Sequence, residues 1–190
     1  MQGIHEGASM WKLSEAILAV ADAVEERDVH ALRKLSNKAL GEVSLNGRNA
    51  FLKPAMLAYA FAKVIQKPHY WRERSPTVFF GKALTKMAKA AGMADKDEGG
   101  AEELLDEVAA MIGELDGSEQ RYIKGLMDKS QLKIASTLYA QGFSLDRAVE
   151  MTGADKRELI RYIGKTFMFD RTKNPKSIND RLKALKSILS

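Results

Sequence analysis

Cysteine is absent from the 190 residues, which excludes both a disulfide framework and a thiolate zinc site. Histidine is scarce, and His5, His30 and His69 stand far apart, with no pair at a metal-ligand spacing. Long apolar runs are missing too. The longest uncharged one, Pro54 to Ala62, falls far short of the roughly 20 residues that a bilayer crossing requires, and it reads as a buried helix. No secretory signal pattern opens the chain, so a cytoplasmic protein is expected. Alternating segments of strand length and repeats of fixed period are also lacking, which leaves an all-α fold as the expectation.

The familiar catalytic patterns are missing in the same way. Gly164-Lys165-Thr166 resembles the end of a phosphate-binding loop, but that loop needs a glycine five residues earlier, where Leu159 stands. Gly81-Lys82 fails similarly. There is no Gly-x-Ser-x-Gly elbow and no cysteine nucleophile. Glu102, Glu103, Asp106 and Glu107 cluster on one stretch, yet without a histidine partner or a second carboxylate helix they read as a solvated face. Neither an enzyme nor a cofactor is expected.

What is present is segregated charge. Residues 1–92 carry 14 Lys and Arg against 8 Asp and Glu, residues 93–117 carry 1 against 9, and residues 118–190 carry 15 against 8, so the zones stand at +6, −8 and +7. Basic zones favour a polyanion partner, because cations that neutralise phosphates release condensed counterions. The alternative is that the acidic middle lies beside a basic neighbour in the same molecule.

Apolar spacing of three and four predicts a series of helices. Met1 to Ala8 has no pattern and is expected as a loose leader. Leu13, Ile17, Ala21 and Val24 mark the first helix, ending near Arg27, and Asp28 caps a second through Leu32, Leu35, Ala39 and Val43 to a turn at Asn46-Gly47. Pro54 cannot sit deep in a helix, so the third starts near Leu52 and runs to about Gln66, apolar nearly all round. The link from Lys67 mixes Tyr70 and Trp71 with Arg72 and Arg74, a composition that either stacks bases or anchors a loop on a core. Ser75-Pro76 begins the fourth helix, with Phe80, Leu84, Met87 and Ala91 inward and Lys82, Lys86 and Lys89 on another face. With Arg72 and Arg74 these lysines form a candidate secondary basic patch.

Met93 to Gly100 holds acids and paired glycines and reads as a flexible linker. The expected organisation is therefore an amino-terminal helical bundle over 1–92, for interaction or sensing, a linker over 93–100, and a helical domain over 101–190. The fifth helix carries Leu104, Leu105, Val108, Met111, Ile112 and Leu115. The sixth is expected from Ser118, with Tyr122, Ile123, Leu126 and Leu138 along one face reaching Gln141-Gly142. A last helix from Ser177 spaces Ile178, Leu182, Leu185 and Leu189 at four, three and four, a surface suited to a homodimer.

Between them lies the stretch from Ser144 to Lys165. A short helix would turn Leu145, Ala148 and Val149 inward and end at Gly153, after which Asp155 accepts from the backbone opening a second helix with Leu159, Tyr162 and Ile163 inward. At these residues the stretch resembles the helix-turn-helix of bacterial repressors of the lactose-repressor type. Two positions depart from that pattern: Val149 where alanine or glycine is preferred, and Thr152 where an apolar residue is usual. Leu159 to Thr166 is also similar to helix-turn-helix segments of uncharacterised archaeal helical proteins.

The resemblance implies a transcriptional regulator that binds double-stranded DNA, with Lys156, Arg157 and Arg161 entering the major groove and Lys165 and Arg171 holding phosphates. Two other readings stay open. One is a protein-protein adaptor in which the same hairpin is only packing, and the other is RNA binding through residues 67–89.

Overall fold

The computed structural model describes residues 11–67, 76–117 and 125–170. Within them the chain forms eight α-helices and no strand: α1 (Leu13–Glu25), α2 (Val29–Asn46), α3 (Leu52–Gln66), α4 (Pro76–Ala94), α5 (Glu98–Gly117), α6 (Leu126–Ala140), α7 (Leu145–Thr152) and α8 (Lys156–Asp170), with one 3-10 turn at Asn49–Phe51. The all-α expectation holds. None of the described helices is long and apolar enough to cross a membrane, and no group of metal-ligating side chains forms among the described residues. The aromatic-basic link around Tyr70 to Arg74 and the helix expected from Ser177 lie outside the described residues.

The helix starts follow local chemistry. Asp28 Oδ1 accepts from the backbone N–H groups of His30 and Ala31, both at 2.9 Å, satisfying donors that the first turn of α2 leaves unpaired. Gly47 ends α2 at φ 67°, a left-handed conformation that glycine adopts without a Cβ penalty. α3 is the centre of the molecule and packs against α1, α2, α5 and α6. Its near-continuous apolar surface is what such a position requires. Ser36 on α2 donates its hydroxyl to the Ala55 carbonyl at 2.8 Å, so a buried polar group ties the two helices together. Phe61 of α3 meets Phe79 and Phe80 of α4 at centroid separations of 6.4 and 6.1 Å.

Two expectations are revised. Residues 93–100, expected as a flexible linker, hold only 95–97 outside helix, since α4 reaches Ala94 and α5 begins at Glu98. That turn is tied on both sides. Asp97 Oδ1 accepts from Gly100 N at 2.9 Å, and Asp95 accepts from the Ser14 hydroxyl at 2.7 Å and from Ser14 N at 3.3 Å. Asp95 thus caps α1 from across the molecule. The hydrophobic cluster also runs unbroken past the turn, with buried residues from α1 through α8. Charge changes sign at this point in the sequence, but packing follows apolar faces, and the acids of α5 lie against basic neighbours: Lys53 pairs with Asp106, and Lys86 with Glu107.

The second revision concerns the sixth helix, expected from Ser118. Gly125 is extended, at φ −53° and ψ 153°, and serves as the cap before Leu126, where α6 begins. Tyr122 and Ile123 lie outside the described residues.

An acid-dependent loss of stability follows from these caps and pairs. The carboxyls of Asp28, Glu42, Asp95 and Glu107 are all held below their ordinary values of 3.8 for aspartate and 4.5 for glutamate, chiefly by the Ala31 N–H, the Asn46 amide, the Ser14 hydroxyl and the Lys86 ammonium, respectively. A carboxyl with a depressed folded-state pKa stabilises above its unfolded pKa and loses that contribution as pH falls through the folded value. The urea midpoint is expected to be flat from neutral pH to about 5 and to fall below the ordinary carboxylate range. A midpoint that rises below that range would contradict these bonds.

Candidate nucleic-acid interface

The stretch resembling a helix-turn-helix is built on α6, which packs against α7 and α8 and also against α3 and α5. Ser144 caps α7, accepting from Arg147 N at 3.1 Å. Ala148 is fully buried, and Leu145 and Val149 pack at the edge of the core. Thr152 accounts for its own departure from the usual apolar residue. It is buried, but its hydroxyl donates to the Ala148 carbonyl at 2.7 Å and accepts from Ala154 N at 3.3 Å, so burying it leaves no polar atom unpaired.

Gly153 follows at φ 70° and ψ 14°, with its N–H donating to the Val149 carbonyl at 2.8 Å. An added Cβ would meet Gln131 Nε2 at 3.5 Å, an ordinary van der Waals contact. The obstacle to a side chain is therefore backbone strain alone. Gly153→Ala is expected to cost about 1–2 kcal/mol, seen as a lower urea midpoint. An unchanged midpoint would mean that the turn relaxes without loss.

Asp155 Oδ1 accepts from Glu158 N at 2.8 Å and so caps α8. Leu159 is fully buried, while Tyr162 and Ile163 are half-buried. On the other side Arg157, Ile160, Arg161, Gly164 and Lys165 are exposed, and their spacing places them on one arc of the helix. Ile160, 52% exposed, is the member of this arc that charge alone does not point to. Its signal in the sequence is positional, since Ile160 stands one residue round the helix from Leu159, off the face that Leu159 shares with Tyr162 and Ile163.

The candidate cations differ in their surroundings. Arg157, Arg161 and Lys165 lie exposed on the arc. Lys156 stands at its margin, where its ammonium is 2.5 Å from Asp146 Oδ1 of α7. Arg171 lies outside the described residues, as do Arg72 and Arg74 of the secondary patch. Of the lysine stripe on α4, Lys82 and Lys89 are exposed, and Lys86 pairs with Glu107. Lys86 and Lys89 together hold the Glu107 carboxyl below the usual range. At Lys86 this side of the molecule answers its own charge. A groove of about 350 Å³ beside the 3-10 turn is likewise occupied with internal bonds: Arg48 donates to the Trp11 carbonyl at 2.6 Å and to Glu42 at 3.1 Å while lying over the Phe51 ring.

No protein-family model, curated protein or solved structure matches this chain, so the reading of α8 rests on its own geometry and charge.

Proposed function

We propose that this chain is a cytoplasmic transcriptional regulator that binds double-stranded DNA with α8. The observation that carries the reading is the exposed arc from Arg157 to Lys165, on a helix whose opposite side is held by the buried Leu159 and whose start is set by the Gly153 turn. Arg157 and Arg161 would reach base edges, where a guanidinium matches the two acceptors of guanine, and Ile160 suits a thymine methyl group. Lys165 and Arg171 would hold phosphates. Lys156 would exchange Asp146 for DNA, at small cost because exposed ion pairs contribute about 0–1 kcal/mol. One such unit covers a short half-site, so the active species is proposed as a dimer.

A second reading, a helical adaptor for an acidic protein partner, is favoured by Ile160, because an exposed isoleucine among cations also suits an amphipathic acidic helix. RNA binding through residues 67–89 is less well supported, since Lys86 already has a carboxylate.

Gel-shift titration against random duplex DNA and single-stranded RNA over a salt series separates these readings. A duplex reader should lose affinity steeply as salt rises. Absence of duplex binding at low salt would end the proposal, and a monomeric mass by light scattering at high concentration would remove the dimer from it.

A further inference from the structure

We propose that Arg33, Lys63 and Lys133, brought together where α2, α3 and α6 meet, form a second phosphate-binding surface that grips the backbone of the duplex whose groove α8 enters. The inference rests on the DNA-binding reading of α8 and extends it to the amino-terminal helices.

The placement comes from packing. Arg33, exposed on α2, donates through Nη2 to Gln66 Oε1 at 3.1 Å, which fixes it beside the last turn of α3. Lys63 lies three residues before Gln66 on α3, hence on the same face, and its ammonium stands 5.5 Å from the centroid of the Tyr59 ring. Lys133 is exposed on α6, which packs against α3. Tyr59 links this group to α8. Its hydroxyl is pushed above the ordinary tyrosine value by burial and by the neighbouring Tyr162, with Arg33 acting in the opposite direction. Tyr162 follows Arg161 in the chain, so the cluster borders the helix that carries the exposed arc.

The charge balance here is the reverse of that around α5. Lys53 and Lys86 each meet a carboxylate of α5. Lys63 meets cations: burial first, then Arg33, Lys67 and Lys133, holds its ammonium below the usual lysine range. Among the described residues no carboxylate pairs with Arg33, Lys63 or Lys133. Gathering like charges around the half-buried Lys63 opposes folding, and the Tyr59 ring offsets this only in part. Local rules broken without a compensating carboxylate mark sites kept for another purpose. The chemistry that compensates such a group is a polyanion, and a phosphodiester backbone supplies it with the added gain of counterion release.

The test is Lys63→Gln together with Lys133→Gln, titrated against random duplex DNA over a salt series, alongside Arg157→Ala with Arg161→Ala. The glutamine pair is expected to keep or raise the melting temperature, because repulsion is relieved, and to lower the salt slope by roughly 2, at about 0.9 for each phosphate no longer neutralised. Lys63→Arg with Lys133→Arg should restore the slope. If the parent protein binds duplex and the glutamine pair binds with the parent's slope, the inference falls while the α8 reading stands. If the glutamine pair loses slope but the α8 variant binds like the parent, the α8 reading falls, and with it the shared duplex proposed here. Failure of the parent to bind duplex overturns both.

Discussion

Replacing Lys156, Arg157 and Arg161 by alanine is expected to abolish duplex binding while the melting temperature stays nearly unchanged. All three side chains are exposed on α8 and avoid the buried side marked by Leu159. Substitutions at such positions usually change stability by under about 0.5 kcal/mol each. Among the described residues, the one interaction removed is the exposed Lys156 pair with Asp146, whose contribution is about 0–1 kcal/mol, and alanine is a good helix former. Binding responds differently. Removing a side chain that reads a base should cost about 1–3 kcal/mol, and removing one that neutralises a phosphate should lower the salt slope by about 1. If the triple variant melts like the parent and binds duplex equally well across the salt series, α7 and α8 are packing elements and the adaptor reading takes precedence.

Phe61→Ala is expected to have the largest effect on stability. Phe61 has no exposed surface and sits at the centre of α3, with the Phe79 and Phe80 rings of α4 against it. Truncating a buried phenylalanine removes its transfer energy and leaves a cavity that neighbours fill only in part, at about 3–5 kcal/mol. For a chain of this size each kcal/mol moves the midpoint by about 2–4 °C, so the melting temperature should drop by roughly 6–20 °C. Circular dichroism melting reads this directly. A loss below about 1 kcal/mol would mean that α3 is not the helix on which the others pack. The variant also separates folding from function, because Phe61 is buried against α4 whereas the arc of α8 is exposed. Below its lowered midpoint it should bind duplex with the parent's salt slope.

Much of the architecture is legible in local chemistry. Periodic apolar residues predict the helices, and Asp28, Gly47, Ser144, Gly153 and Asp155 mark starts and stops because caps and left-handed turns depend on the few residues around them. Apolar spacing sets the start of α6 too early because Gly125, whose extended backbone begins it, lies inside an otherwise helical pattern. The turn between α4 and α5 misleads for a different reason. Acids and glycines are what mobile joints contain, but Asp95 and Asp97 are occupied as caps, one of them for a helix 81 positions away in the chain.

What the chain alone determined is its helical character, the turn at Gly153, and the absence of motifs for thiol, phosphate-loop or paired-histidine chemistry, since these depend on residue type and short spacing. Tertiary structure decided which charges meet. It set the acids of α5 against Lys53 and Lys86, turned Lys156 toward Asp146, and collected Arg33, Lys63 and Lys133 from three helices beside α8. Electrostatic interaction falls with distance in space and is indifferent to separation along the chain, so the balance of charge at each surface appears only when the helices have packed.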